Sequence, residues 1–193
     1  GKAWEVETTA EFSGEVIVLI SYGITGLKPE QELNLKLMIL EGEKWVDITS
    51  WVDVENKVVC GKTSHLGLFA VMLELPRVTL DIDPDTLNLK SNGKWITAYI
   101  ELSGAWNVGD IDPTSVKLNE NFLREGPIEI GDHDGDGIPN LMVKFSRRTV
   151  KESLGVGEVE MKVSGNINAP PLLVIPFEGK DTIRTIKPGR GPK

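Results

Sequence analysis

The chain has 193 residues, of which 40% are hydrophobic, and its formal net charge is −8. This length predicts one or two domains with enough apolar side chains to form a core. The negative charge argues against a nucleic-acid partner, because phosphates are bound by a basic surface. No apolar run approaches the roughly 18 residues that cross a bilayer, which predicts no membrane span in this chain. The single cysteine, Cys60, excludes an intrachain disulfide.

Residues 1–76 are predicted to form a first β-sandwich from five or six short strands. The run 15–22 is continuously apolar in its middle, which is typical of a strand covered on both faces, and residues 33–40 alternate with a period of two. Pro29 can begin a helical turn before the second of these strands. Further strands are predicted at 45–48, 51–53, 58–60 and 66–72.

The segment Trp45-Val46-Asp47-Ile48-Thr49, followed by residues 58–71, resembles a β-sandwich of large secreted bacterial and archaeal proteins. It is also similar to the sandwich domains of ankyrins and netrin receptors. Some of these relatives cleave their own chain at a tripeptide in which a histidine assists a hydroxyl nucleophile. The matching tripeptide here is His65-Leu66-Gly67. Because Gly67 has no nucleophile, self-cleavage at this bond is excluded.

We expect this first sandwich to lack a strand at its front, because residues 1–76 are few for such a fold. A missing strand would leave an unpaired sheet edge, which proteins normally cover. A neighbouring domain of a longer chain could cover it, or a strand from another copy of the molecule could do so. The second option would make the protein a filament subunit.

A second domain is predicted from 77 to 187, because Pro76 ends one strand pattern and the acidic content rises directly after it. Residues 81–89 and 110–118 are similar to each other, and both indicate an Asp-Pro turn followed by a strand. Between them, residues 95–102 alternate as a strand does. Its core-facing residues are predicted to be Ile96, Ala98, Ile100 and Leu102.

The end of the chain is predicted to hold one short helix and two more strands. Ser146 can cap a helix over 147–154, which Gly155 would end. Strands are predicted at 158–165 and 181–186. The tail 188–193 is rich in glycine and proline and indicates a linker or extended arm.

Residues 131–140 contain regularly spaced oxygen-bearing side chains, a pattern that is typical of a metal-binding loop. Carboxylates stand at relative positions 1, 3 and 5 of a loop, a glycine follows at 6, a backbone carbonyl is available at 7 and an amide stands at 9. Ca²⁺ binds about six to eight oxygens, and a chain curls around it in this way when a glycine permits the bend. The sequence therefore predicts a calcium site with ligands from Asp132, Asp134, Asp136, Ile138 and Asn140. The alternative is a polar turn between two strands.

The loop departs from an EF-hand, because position 12 is Val143 in place of a glutamate and the flanking patterns are strands. It resembles the Asp-rich calcium loops of dockerins, thrombospondin type-3 repeats and related extracellular β-proteins. His133, at position 2, is expected to point outward. The missing ligand must come from water or from another acidic segment. The candidates are Asp81, Asp83, Asp85, Asp110 and Asp112, for which a solvated acidic edge is the alternative role.

Residues 79–186 look like the immunoglobulin-like calcium modules of archaeal and bacterial surface proteins. The shared frame runs from the Asp-Ile-Asp-Pro segment at 81–84 through Asp-Gly-Asp-Gly-Ile-Pro at 134–139 to a closing strand. The predicted fold class is therefore all-β, with two tandem β-sandwich (Ig-like) domains and one short helix in the second.

The predicted function is that of a non-enzymatic, calcium-stabilised extracellular structural protein, either a cell-surface module or a self-assembling filament subunit. Its partners would be other copies of itself or neighbouring domains of a longer chain. No catalytic or cofactor-binding residues other than the Ca²⁺ ligands are predicted. The alternative is an accessory or carbohydrate-binding module of a secreted hydrolase, with polysaccharide as the partner. Five tryptophans permit a sugar-stacking face, although we expect most of them in the core.

Overall fold

Short β-strands dominate the chain, as the period-two patterns predict. The computed structural model describes residues 3–9, 11–23, 26–169 and 173–187. Strands account for 56% and helices for 7%, so the predicted all-β class is confirmed. The chain divides into two units, Gly1–Leu75 with Pro170–Leu173 and Pro76–Ala169 with Val174–Lys193. Among the described residues, no helix has the length and apolar content needed to span a bilayer.

The first unit contains two sheets that pack face to face. Its elements are β1 Ala3–Glu5, β2 Val16–Ser21, α1 Pro29–Glu32, β3 Leu35–Glu41, β4 Lys44–Asp47, β5 Thr49–Asp53, β6 Val58–Thr63 and β7 Leu68–Leu73. One sheet has the strand order β1-β7-β3-β4 and the other has the order β2-β6-β5. Leu35, Leu37, Val59 and Phe69 from both sheets are completely buried and form the core. The one-turn helix α1 begins at Pro29, as predicted.

The chain passes from one sheet of the first unit to the other at Ile48, between β4 and β5. The Ile48 N–H donates to the Leu37 carbonyl of β3 at 3.0 Å, and the Ile48 carbonyl accepts the Lys62 N–H of β6 at 3.2 Å. This crossing needs a close approach at Gly61 in β6. A Cβ added there would lie 2.6 Å from the Ile48 carbonyl oxygen.

Strand β2 is an edge strand, and the expectation that it is covered on both faces is wrong. In the described part of the chain it pairs only with β6, from Val16↔Thr63 to Ser21↔Val58. Ile17 and Leu19 are 60% and 58% exposed, because they alternate with the core-facing residues and lie on the outer face. The continuous apolar run therefore places hydrophobic side chains in solvent at a sheet edge.

The tryptophans also differ from expectation, because most of them are not in the core. Trp106 is buried, Trp4 and Trp95 are partly exposed, and Trp45 and Trp51 are exposed. Trp45 and Trp51 belong to β4 and β5, each of which lies at the edge of its sheet. An indole at such an edge has neighbours on fewer sides, which explains the exposure.

The second unit is a sandwich of a four-stranded and a five-stranded sheet. Its strands are β8 Val78–Asp83, β9 Thr86–Asn88, β10 Trp95–Leu102, β11 Ile111–Leu118, β12 Phe122–Leu123, β13 Glu129–Gly131, β14 Asn140–Ser146, β15 Gly157–Ala169 and β16 Leu173–Ile186. A 3-10 turn spans Val108–Asp110, and the helix α2 spans Arg147–Lys151. The strand orders are β13-β14-β10-β8 and β12-β11-β15-β16-β9.

The sequence predicts the core face of β10 correctly. All four of its predicted core residues, Ile96, Ala98, Ile100 and Leu102, are buried. Met161 and Val163 of β15, in the other sheet of this unit, are also completely buried. The strand therefore presents its remaining side chains to the outer face of the four-stranded sheet.

Two local predictions for the second unit need correction. Helix α2 ends at Lys151, three residues earlier than predicted, because 3-10-type bonds such as Ser153 N–H to the Val150 carbonyl close its last turn. Asp112 and Pro113 do not form a turn before a strand, since both lie within β11. They fall where the register of β11 against β15 shifts, between Asp112 and Lys117.

Replacing Gly61 with alanine is expected to destabilise the protein by about 2 kcal/mol. The added Cβ would press on the Ile48 carbonyl oxygen at 2.6 Å, and this oxygen is held by its bond from Lys62. Urea unfolding followed by tryptophan fluorescence measures the change.

Gly67→Ala is the matched control, because nothing lies within 4 Å of a Cβ built there. We expect its unfolding midpoint to stay close to that of the unaltered chain. Equal midpoints for the Gly61 and Gly67 variants would contradict the account of the crossing at Ile48.

Candidate calcium site

The Asp-rich loop, residues 132–139, is the turn of a β-hairpin between β13 and β14. Gly131 pairs with Asn140 directly on either side of the loop. Strand β14 also pairs with β10, and its register places Ile100 opposite Leu141. One step further along this register, Glu101 lies beside Asn140. The loop therefore begins and ends next to the end of β10.

Backbone N–H groups curl the loop around its own carboxylates. Asp132 accepts from Gly135 N at 2.8 Å with Oδ1 and from Gly137 N at 3.0 Å with Oδ2. Asp136 Oδ1 accepts from Ile138 N at 2.7 Å. Gly137 has a φ of 90°, a conformation that favours glycine, so the bend is found at the residue where the sequence requires it.

The structure adds one acidic residue, Glu101, to two of the predicted ligands. One carboxylate oxygen each from Glu101, Asp134 and Asp136 lies within 4.8 Å of the others. Glu101 is only 9% exposed, although it belongs to the outer face of its sheet. The Asn140 side-chain amide donates to Glu101 Oε2 at 3.3 Å. The loop residues thus enclose a carboxylate supplied by a neighbouring strand.

The charge of Glu101 is poorly compensated. Burial raises the pKa of its carboxyl, and the charges of Asp136 and Asp134 raise it further, against hydrogen bonds from Thr79 and Asn140 that lower it. Within the ranges that the structure describes, no Lys, Arg or His nitrogen forms an ion pair with Glu101, Asp134 or Asp136. A cation bound among the three carboxylates would offset the effects that raise the pKa of Glu101.

Glu32 in the first unit shows what a compensated buried carboxylate looks like. It is 3% exposed, and Lys57 Nζ lies 2.7 Å from each of its oxygens. The Tyr22 hydroxyl donates to it at 2.6 Å. By comparison, Glu101 has neutral hydrogen-bond donors, Asn140 and Thr79, and its charged neighbours are the carboxylates of Asp134 and Asp136. This set of carboxylates fits a hard divalent cation such as Ca²⁺, which binds carboxylates, carbonyls and water.

The predicted ligands occupy different positions in this geometry. Asp134 and Asp136 lie together with Glu101, whereas both oxygens of Asp132 accept backbone N–H groups. Asn140 Oδ1 accepts the His133 N–H at 2.8 Å. The ligand roles of all five predicted residues, including the carbonyl of Ile138, stay predictions.

None of the other acids considered from sequence joins this group of three in the described part of the chain. Asp112 Oδ1 accepts the N–H and the hydroxyl of Thr114 within β11. Burial raises the pKa of the Asp81 carboxyl, and the nearby charges of Asp83, Asp181 and Asp85 raise it further. The alternation of 95–102 does place Glu101 on the outer face, but the pairing of β10 with β14 could not be predicted from either segment.

His133 lies flat against Tyr99 of β10, with ring centroids 3.5 Å apart and planes within 6°. Its Nε2 is 3.8 Å from Asp81 Oδ2, and its side chain remains 38% exposed. The His133 side chain is thus partly exposed, as expected of an outward-pointing residue, but it also contacts the sheet through Tyr99. The loop is attached to β10 at two neighbouring outer-face positions, Tyr99 and Glu101.

Comparisons with known proteins leave the family open. No protein-family model matches the chain, and no curated protein matches it. A solved structure of protocadherin repeats, PcdhgB3 EC1-4 in 50 mM HEPES, aligns with 81% of this chain and 41% of that chain at 9% identity and a TM-score of 0.26. The chain thus spans less than half the length of that structure. The β-sandwich assignment rests on the strand order, since this similarity is too low to carry an argument.

Replacing Glu101 with glutamine should change stability in opposite directions with and without calcium. In chelator, Glu101→Gln is expected to stabilise the second unit by on the order of 1 kcal/mol, because it removes a buried like charge. In millimolar CaCl2 the same variant is expected to be less stable than the unaltered chain, because it lacks a charged ligand. Calorimetric melting under both conditions measures the reversal.

Glu129→Gln is the control, since Glu129 is an exposed acid of the same hairpin. Its effect should be small and of the same sign in both solutions. If Glu101→Gln gave no reversal, Glu101 would not be part of a cation site.

Proposed function

We propose that this chain is a non-enzymatic structural module in which Ca²⁺ attaches the 132–139 loop to the outer face of the second unit. The observation that carries the proposal is the burial of Glu101 beside Asp134 and Asp136 without a cationic side chain. The proposed ligands are those of the sequence motif, Asp132, Asp134, Asp136, the Ile138 carbonyl and Asn140, together with Glu101.

The position of the site supports a role in architecture. Its residues belong to a hairpin turn and to the end of the adjacent strand, so a bound cation would join β10 to the β13–β14 hairpin. Extracellular modules use calcium sites with dissociation constants of about 10⁻⁴–10⁻³ M, which calcium outside cells can fill. We therefore propose an extracellular or cell-surface location.

We propose that the two units are separate domains with the boundaries predicted from sequence, 1–76 and 77–187, followed by a tail at 188–193. Each unit has its own pair of sheets and its own buried core, which supports independent folding. The first would then be insensitive to calcium, because the clustered carboxylates belong to the second.

The edge of β2 is the proposed position for a partner strand. Its residues carry no charge from Val16 to Ser21, and its outer face exposes Ile17 and Leu19. Soluble proteins usually protect such an edge with charges, proline or a covering element. We propose that a strand from another copy or from a neighbouring domain pairs here, which would suit a surface assembly or filament.

A carbohydrate-binding accessory module is the second candidate function. The observation in its favour is the exposure of Trp45 and Trp51, since indole rings in solvent can stack on sugars. These residues lie in the first unit, so this function would not involve the calcium site.

Removal of calcium is expected to lower the melting temperature of the second unit alone. Calcium at about 100 times its dissociation constant adds about 2.7 kcal/mol of stability, which for a domain of this size shifts the midpoint by roughly 10 °C or more. Asp134→Ala should reproduce the effect of chelator in the presence of calcium. Differential scanning calorimetry of the full chain resolves the two transitions.

Glu158→Ala serves as the control, because Glu158 is an exposed acid of the same unit outside the loop. It should keep the full response to calcium. Identical melting curves with and without chelator would remove the calcium proposal.

Replacing Leu19 with lysine is expected to prevent self-association. A charge on the outer face of β2 disfavours pairing with an incoming apolar strand, while the exposed position leaves the fold intact. Light scattering coupled to size-exclusion chromatography and electron microscopy measure the assembly of the unaltered chain and of the variant.

Val156→Lys is the matched control, because Val156 is equally exposed but belongs to the second unit. It should assemble as the unaltered chain does. A monomer at all concentrations that binds polysaccharide, and loses binding in Trp45→Ala with Trp51→Ala, would favour the second candidate function.

A further inference from the structure

A stacked pair of rings joins the Asp-rich loop to the sheet beneath it. The ring centroids of Tyr99 and His133 are 3.5 Å apart, and the ring planes differ by 6°. Tyr99 belongs to β10, two residues before Glu101 and on the same face. His133 lies between Asp132 and Asp134 in the loop. The stack therefore holds the carboxylate-bearing part of the loop close to the strand that supplies Glu101.

His133 makes a second contact, through its backbone, with strand β14. The backbone N–H of His133 donates to Asn140 Oδ1 at 2.8 Å. Asn140 is buried and is the first residue of β14. His133 is thus attached to β10 through its ring and to β14 through its backbone, although residues 131–139 are all exposed.

The attachment matters because a loop with three aspartates resists closing by itself. Its carboxylates repel one another, and ordering its backbone costs conformational entropy. The apparent affinity for a cation falls in proportion to the fraction of molecules in which the site is already formed. A contact that orders the loop without using a carboxylate raises that fraction.

We propose that Tyr99 is a positioning residue for the calcium site and that its stack with His133 preorganises the loop. This inference rests on the proposed calcium function and adds to it a residue that acts only through His133. A stacked aromatic pair changes an equilibrium constant by about two- to tenfold. Tyr99 therefore sets the affinity of the site without belonging to its ligands.

Calcium titration of the full chain by isothermal calorimetry tests the proposal. Tyr99→Ala is expected to raise the dissociation constant by about two- to tenfold, because the ring that holds His133 is lost. Tyr99→Phe keeps the ring and should bind as the unaltered chain does. Thr97→Ala is the control, because Thr97 lies on the same face of β10 two residues before Tyr99. Its dissociation constant should also be unchanged.

Terbium in place of calcium distinguishes a residue that positions the loop from one that binds the ion. Luminescence decay in H2O and D2O, with direct excitation of the ion, counts the water molecules bound to it. Tyr99→Ala should keep the same number of waters, because no ligand is removed. Glu101→Gln should increase the number, because water replaces a carboxylate.

His133→Ala keeps the proposal testable if Tyr99→Ala fails to fold, since His133 lies in an exposed loop. It should raise the dissociation constant by the same factor, and the double variant should be no weaker than either single one. Additive effects would overturn the proposal, as would unchanged binding by Tyr99→Ala or equal losses in Tyr99→Ala and Tyr99→Phe. An absence of calcium binding in the unaltered chain would instead overturn the proposed function itself.

Discussion

The central constraint on the second unit is a carboxylate, Glu101, that the fold buries next to two other negative charges. Glu101 alternates in β10 with Ile100 and Leu102, which are fixed in the core, so its side chain must lie on the outer face. The hairpin turn between β13 and β14 covers this face and brings Asp134 and Asp136 with it. Burial and these two charges raise the pKa of Glu101, so a compensating positive charge is needed for its carboxylate to stay ionised at little cost. Glu32 in the first unit meets the same requirement with Lys57.

The loop itself could be predicted from sequence because its chemistry is local. Alternate aspartates and the glycine at 137 specify the curl, and the β-branched and apolar neighbours specify the flanking strands. The position of Glu101 beside the loop could not be predicted. It depends on the register between β10 and β14, which are far apart in the sequence, and neither segment alone specifies that register. The same limit applies to β2. Its apolar residues indicate a strand, but whether that strand is central or at an edge depends on its neighbours.

Each unit has one feature that its own residues do not compensate. In the second unit it is negative charge, which an ion can neutralise. In the first it is a row of backbone groups and apolar side chains along β2, which another strand can cover. The exposed indoles of Trp45 and Trp51, in β4 and β5, are a further feature of the first unit that faces solvent.

The sequence separation between Glu101 and the loop has a kinetic consequence. An EF-hand collects its ligands from one short segment, so an ion can bind before the rest of the protein has formed. Here the carboxylates meet only after β10 has paired with β14, so the complete group of three needs the tertiary structure. Interactions formed after the rate-limiting step slow unfolding and leave the folding rate almost unchanged. Calcium bound at a site assembled in this way would therefore act mainly by slowing unfolding, and would lengthen the lifetime of the folded second unit and its resistance to proteases.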